Sequence, residues 1–140
     1  MSTLPLVPTG LYKIINVGDS LAASLINGNV VGNGYENAVW LVENLVGDNA
    51  ENQVVIRNNS PNVGPDSFAG VAAPTTGEPV IGASTSTIWT LKPAPTGGIE
   101  ITIDDLAWTL ITSSQNNPIL LESPTASGVA HIWVFEPVAQ

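Results

Sequence analysis

Apolar residues along the chain fall into short alternating runs separated by turn formers, and some of these runs recur. "VWLVEN" at Val39–Asn44 is answered by "IWTLKP" at Ile88–Pro93 and by "IWVFEP" at Ile132–Pro137, so three of the 4 tryptophans occupy one hexapeptide pattern. Early in each presumed unit comes a run that reads apolar-x-apolar-x-Asn/Asp. These are Tyr12–Asn16, Val54–Asn58 and Ile101–Asp105, each closing on a turn-forming residue. Between the two landmarks lies a turn-rich tip before an aliphatic pair: "INGNVVG" at Ile26–Gly32, "TTGEPVIG" at Thr75–Gly82 and "QNNPILLE" at Gln115–Glu122. A fixed order of landmarks, met repeatedly, is the signature of an internally repeated fold.

Each unit therefore predicts four short strands, in the first unit about Leu11–Asn16, Leu21–Leu25, Val30–Gly32 and Val39–Asn44. No helix is expected, because Gly and Pro punctuate every window and Val, Ile and Thr dominate the apolar runs. Twelve strands in three pseudo-symmetric four-stranded units (about 9–47, 50–95 and 97–138) predict an all-β, single-domain β-trefoil over 1–140. Trp40, Trp89 and Trp133 are expected to plug the barrel, since a buried indole removes about 150–250 Å² from water. Trp108 falls in the second strand of unit three, where unit two has Phe68 and unit one Leu21, and is also expected to pack inside.

A chain of 140 residues is the size of one domain. Apolar residues make up 44% of it, yet none of its apolar runs is long enough to cross a bilayer as a helix. "MSTLPLVPTG" lacks the basic start and unbroken apolar segment of a secretory signal, so a cytoplasmic or non-classically released protein is expected. The absence of cysteine excludes disulfides and thiolate chemistry. Twelve Asp+Glu against 3 Lys+Arg give a formal charge of −9, which repels phosphate backbones and anionic membranes, so neither nucleic acid nor membrane is expected as a partner. A monomer is expected.

Catalysis finds little support. The lone histidine, His131, precedes Ile132-Trp133 on a predicted strand and is more readily a structural residue than a general base. One His without Cys builds no metal site, and no cofactor is expected. Asp104-Asp105 would point to opposite faces of a strand and are better explained as a turn. "VGNGYE" at Val31–Glu36 has no following helix and no Lys, so it is no phosphate loop. What remains is a rigid barrel displaying loops rich in Asn, Ser, Thr, Gly and Pro, which points to binding.

"GLYKIINV" at Gly10–Val17, the Trp hexapeptides and "HIWVFEPV" at His131–Val138 resemble fungal β-trefoil proteins over nearly the whole chain. Two groups are pertinent: mushroom protease inhibitors of the mycocypin (clitocypin) and cospin-like kinds, and ricin-B-like lectins. The lectin resemblance implies an Asp on the second strand, an aromatic platform and an Asn ahead of a Gln-x-Trp motif. Here Gln is replaced by Ala38, Thr87 and His131, and the second strand of unit one offers Ala22 and Ala23. Only unit one keeps the Asn, as Asn37, with Tyr35 as platform; these are the sugar-binding candidates.

The inhibitor resemblance implies peptidases as partners. For trypsin-like enzymes the basic residues are poorly placed: Lys13 and Arg57 lie in predicted strands, and Lys92 precedes Pro93. Cysteine peptidases of papain or legumain type are therefore favoured. The resemblance implies, for papain-like enzymes, the loops Val17–Ser20 with Gly18 and Asp19 and Asn33–Glu36 with Gly34 and Tyr35, for legumain-type enzymes Asn62 in "NNSPNVGPDS", and, as the region used by cospin-like inhibitors, the tip with Ile26, Asn27, Gly28 and Asn29. Inhibition of peptidases is the leading expectation, with glycan binding as the alternative from another class.

Overall fold

The computed structural model describes residues 5–33, 36–47, 50–60, 64–95, 97–111, 116–124 and 128–138. Its regular elements are all strands. β1 (Gly10–Asn16), β4 (Trp40–Asn44), β5 (Gln53–Asn58), β8 (Trp89–Pro93), β9 (Ile99–Ile103) and β13 (Trp133–Pro137) pair antiparallel around a closed ring. The ring closes where β1 meets β13, with Tyr12 opposite Pro137 and Asn16 opposite Trp133. Along β1 alternate residues Tyr12, Ile14 and Asn16 are buried, as a barrel wall with one inward face requires.

The remaining strands form hairpins that cap the barrel: β2 (Ala23–Ile26) with β3 (Asn29–Gly32), β6 (Phe68–Gly70) with β7 (Ile81–Ala83), and β10 (Leu106–Thr109) with β12 (Leu120–Glu122). β11 (Asn117–Pro118) completes the set and pairs with β3. Thirteen strands thus stand where twelve were expected, because the third strand of unit three is broken at Ile119. The backbone of Ile119 also serves the symmetry axis. Val30 N donates to Val80 O (3.0 Å), Val80 N to Ile119 O (2.8 Å) and Ile119 N to Val30 O (3.0 Å), a cyclic triad of hydrogen bonds joining the three hairpins. The three side chains are fully buried. With the barrel ring, this triad defines a β-trefoil.

Trp40, Trp89 and Trp133 are buried as expected, and each is fixed by the same bond. Their Nε1 groups donate to Ala23 O (2.8 Å), Ala69 O (2.9 Å) and Trp108 O (3.0 Å). These bonds correct the expected alignment: Trp108 stands where the other units have Ala23 and Ala69, not Leu21 and Phe68. A single bulky residue thus replaces what would be three equal ones. Its ring sits edge-on to Trp89 and Trp133, at centroid distances of 5.4 and 6.1 Å, using the space that two alanines leave.

A second alignment also shifts. Trp40 lies opposite Asn58 and Trp133 opposite Asn16, whereas the β8–β9 register, with Thr90 opposite Thr102, sets Ile103 in the corresponding place. Asp104 and Asp105 lie beyond it as a two-residue turn with φ of 47° and 67°, joining Ile103 directly to Leu106.

Candidate functional site

Of the expected site residues, Gly18 and Asp19 lie between β1 and β2, Asn27 and Gly28 between Ile26 at the end of β2 and Asn29 at the start of β3, and Asn37 ahead of β4. Asn16, buried at the end of β1, donates through Nδ2 to Ala130 O (2.9 Å), and its Oδ1 accepts from Gly18 N (3.0 Å) and Asp19 N (3.1 Å). One side chain thereby ties the first loop to the last unit and shapes the Gly18–Asp19 turn. Asn58 does the same at the next seam: Nδ2 donates to Asn37 O (2.7 Å) and Oδ1 accepts from Ser60 N (3.0 Å).

The hairpin tip Ile26–Asn29 is a tight turn, with Asn27 at φ 52° and Gly28 at φ 80°. Asn27, Gly28 and Asn29 are exposed, while the Gly28 carbonyl accepts from Gly82 N (2.9 Å) of unit two. Both central residues are left-handed, so the tip presents a turned backbone rather than the extended strand a substrate-like segment offers a peptidase cleft. Of the remaining candidates, Gly34, Tyr35 and Asn62 lie outside the described residues.

Asn37 is part of the scaffold. It has φ 47°, its Nδ2 donates to Leu25 O (3.0 Å), and its carbonyl accepts from Leu25 N (3.1 Å) as well as from Asn58. Around it lies a polar group that the candidate residues only partly covered. Asn33, 7% exposed, donates through Nδ2 to Asn116 Oδ1 of unit three, and its own Oδ1 accepts from Glu36 N (3.4 Å). Glu36 is exposed beside it. The sequence signal for this group was "VGNGYE": its Asn and Glu are functional candidates through their amide and carboxylate groups, although no phosphate loop is formed. The second strand carries no acid near it; Ser24 is buried, with its hydroxyl 3.5 Å from Ala22 O.

Other chemistry-bearing residues have structural partners. His131 lies in the turn before β13 rather than on the strand, 5% exposed, with Nε2 3.3 Å from Glu100 Oε2. Arg57 bonds Ser67 Oγ through Nε (3.1 Å) and lies 5.1 Å from the centre of the Phe68 ring, which leaves this cation engaged on the barrel wall. Among the described residues no group of three His, Asp or Glu side chains could hold a metal ion.

No protein-family model matches the chain, and no curated protein matches it in sequence. Solved structures do. The agglutinin of Rhizoctonia solani is 19% identical, with 97% of this chain and 100% of that one covered at a TM-score of 0.78. The Macrolepiota procera ricin B-like lectin in complex with lactose is 16% identical, with 96% and 100% covered at 0.80. ThreeFoil, a designed threefold-symmetric protein, is 19% identical, with 92% and 99% covered at 0.77. At such identities the likeness is one of fold, and it agrees with the trefoil built from strand pairing above.

Proposed function

We propose that this protein binds carbohydrate through the connection between β3 and β4. The observation that carries the proposal is the Asn33–Glu36–Asn37 group, in which two amides are fixed, Asn33 to Asn116 of unit three and to Glu36 N, Asn37 to Leu25 O of β2, on a connection that also exposes the Glu36 side chain. Planar amides and carboxylates are the groups that satisfy sugar hydroxyls directionally. Tyr35 belongs to the same connection by sequence. End-to-end likeness to an agglutinin and to a lactose-bound lectin supports this reading over peptidase inhibition. The departure from the ricin-type pattern, with Ala38, Thr87 and His131 in place of Gln, supports one modified site in unit one rather than three equivalent sites.

The test is a glycan array followed by titration calorimetry. Glu36→Ala, an exposed position, should weaken binding of the captured glycan at least roughly tenfold with the melting temperature unchanged, a loss of about 1.4 kcal/mol. An array with no captured glycan, or affinity unaffected by Glu36→Ala, overturns the proposal.

A second reading, inhibition of papain- or legumain-type peptidases, is favoured by one observation: the Gly18–Asp19 loop is pre-organised by Asn16, which lowers the entropy cost of docking. Titration against papain, legumain, trypsin and chymotrypsin decides it. Inhibition relieved by Gly18→Trp supports the reading, and uninhibited enzymes at micromolar protein dismiss it.

A further inference from the structure

Beside the barrel wall lies an open cavity of about 530 Å³, bordered by Tyr12, Ile99, Trp133 and Phe135 and by the exposed Val134 and Pro137. Its other wall is the arm Leu6–Pro8 that precedes β1. The arm is fastened by three hydrogen bonds: Leu6 N to Asn52 Oδ1 (2.9 Å), Asn44 Nδ2 to Val7 O (2.7 Å) and Tyr12 Oη to Pro8 O (2.6 Å). Val7 is buried in the core cluster, while Leu6 is 38% exposed at the rim. The arm is thereby held against the barrel wall, where Tyr12 and Phe135 meet edge to face at 5.9 Å.

We infer that this cavity is a binding site for a small, uncharged, largely apolar molecule, such as a ring compound of about 10–20 heavy atoms, a site independent of the carbohydrate reading. The volume falls within the roughly 300–1,000 Å³ typical of small-molecule pockets. Among the described residues its lining includes no acidic or basic side chain, in a chain with 15 of them (12 acidic, 3 basic). The side-chain hydroxyl among the described lining residues, that of Tyr12, already donates to Pro8 O. A charged ligand would lose part of its hydration with no charged side chain among the described lining residues to replace it, and the surrounding charge of −9 disfavours anions further. Burial also pushes the Tyr12 phenol above its ordinary range, in keeping with a poorly hydrated floor.

The neutral dye N-phenyl-1-naphthylamine, bright only out of water, tests the inference. Saturable, one-to-one enhancement is expected. Ile99→Trp, which fills the cavity, should weaken binding at least roughly tenfold. Leu6→Trp, which narrows the mouth from its exposed rim and leaves the core alone, should do the same if Ile99→Trp fails to fold. Absence of saturable binding, or equal affinity in a folded cavity-filling variant, overturns the inference. Binding that disappears on dilution together with self-association, read by sedimentation, assigns the cavity to a second copy of the chain and overturns it equally.

Discussion

Trp108 is the residue at which the threefold pattern is broken, and the break is compensated by volume. Ala23 and Ala69 take the equivalent places with almost no exposure, and the indole fills what they leave between Trp89 and Trp133. Trp108→Ala would leave a void at the centre of the core, and such a void costs about 3–5 kcal/mol. Ala69→Leu inserts atoms into space already taken and should cost about 1–3 kcal/mol. Trp108→Phe behaves differently, because Trp108 Nε1 is buried with no acceptor among the described residues. Removing that N–H relieves an unmet donor, which offsets part of the lost ring volume, so the cost should fall well below that of alanine. Urea unfolding of the three variants checks the order. Trp108→Phe as damaging as Trp108→Ala would show that volume alone governs the position.

At the scale of elements, the hairpins differ in how well their turn residues suit the backbone they adopt. Asn27–Gly28 and Asp104–Asp105 both take left-handed φ at both positions, 52° and 80° in one and 47° and 67° in the other. Asn-Gly is the favoured pair for such a turn, and a β-carbon at its second position is strained. Asp105→Gly should therefore stabilise the protein by about 0.5–1 kcal/mol, and Gly28→Ala should destabilise it by a similar amount. Thermal unfolding of each variant tests both signs. The same turns show what was legible in the sequence. The repeat of Trp and aliphatic pairs revealed the barrel and cap, because burial periodicity is written into residue type. The alignment of Asp105 with Asn16 and Asn58 misled, because Asp and Asn both end strands while only the amide can donate across a seam. Asn16 and Asn58 reach Ala130 O and Asn37 O, whereas Ile103 has no polar group for that task. Likewise the Asn33–Asn116 contact joins units far apart in sequence, and nothing local announces it.

For the molecule as a whole, the net charge of −9 sits on a frame held by neutral contacts. The cap is joined by backbone bonds around Val30, Val80 and Ile119, the seams by amide side chains, and the interior by indoles. Among the described residues Glu100 Oε2 lies 3.3 Å from His131 Nε2, whereas Glu36, Glu43, Glu51, Asp66, Asp104, Asp105 and Glu136 are exposed. Repulsion between these carboxylates outweighs attraction, and it acts on the compact state more than on an expanded chain. Added salt shortens its range, from about 30 Å at 0.01 M to about 3 Å at 1 M. Neutral hydrogen bonds and apolar packing gain nothing comparable to lose. The melting temperature should accordingly rise with sodium chloride at pH 7, for a relief on the order of 1 kcal/mol by about 3 °C. Calorimetry between low and high salt measures it. A melting temperature that falls with salt would mean that attractive pairs dominate, which would require carboxylates now exposed to have cationic partners that the 3 Lys+Arg scarcely supply. The same field acts on ligands: around the β3–β4 connection, with Glu36 exposed, a neutral glycan avoids a repulsion that a sulfated or sialylated one would meet.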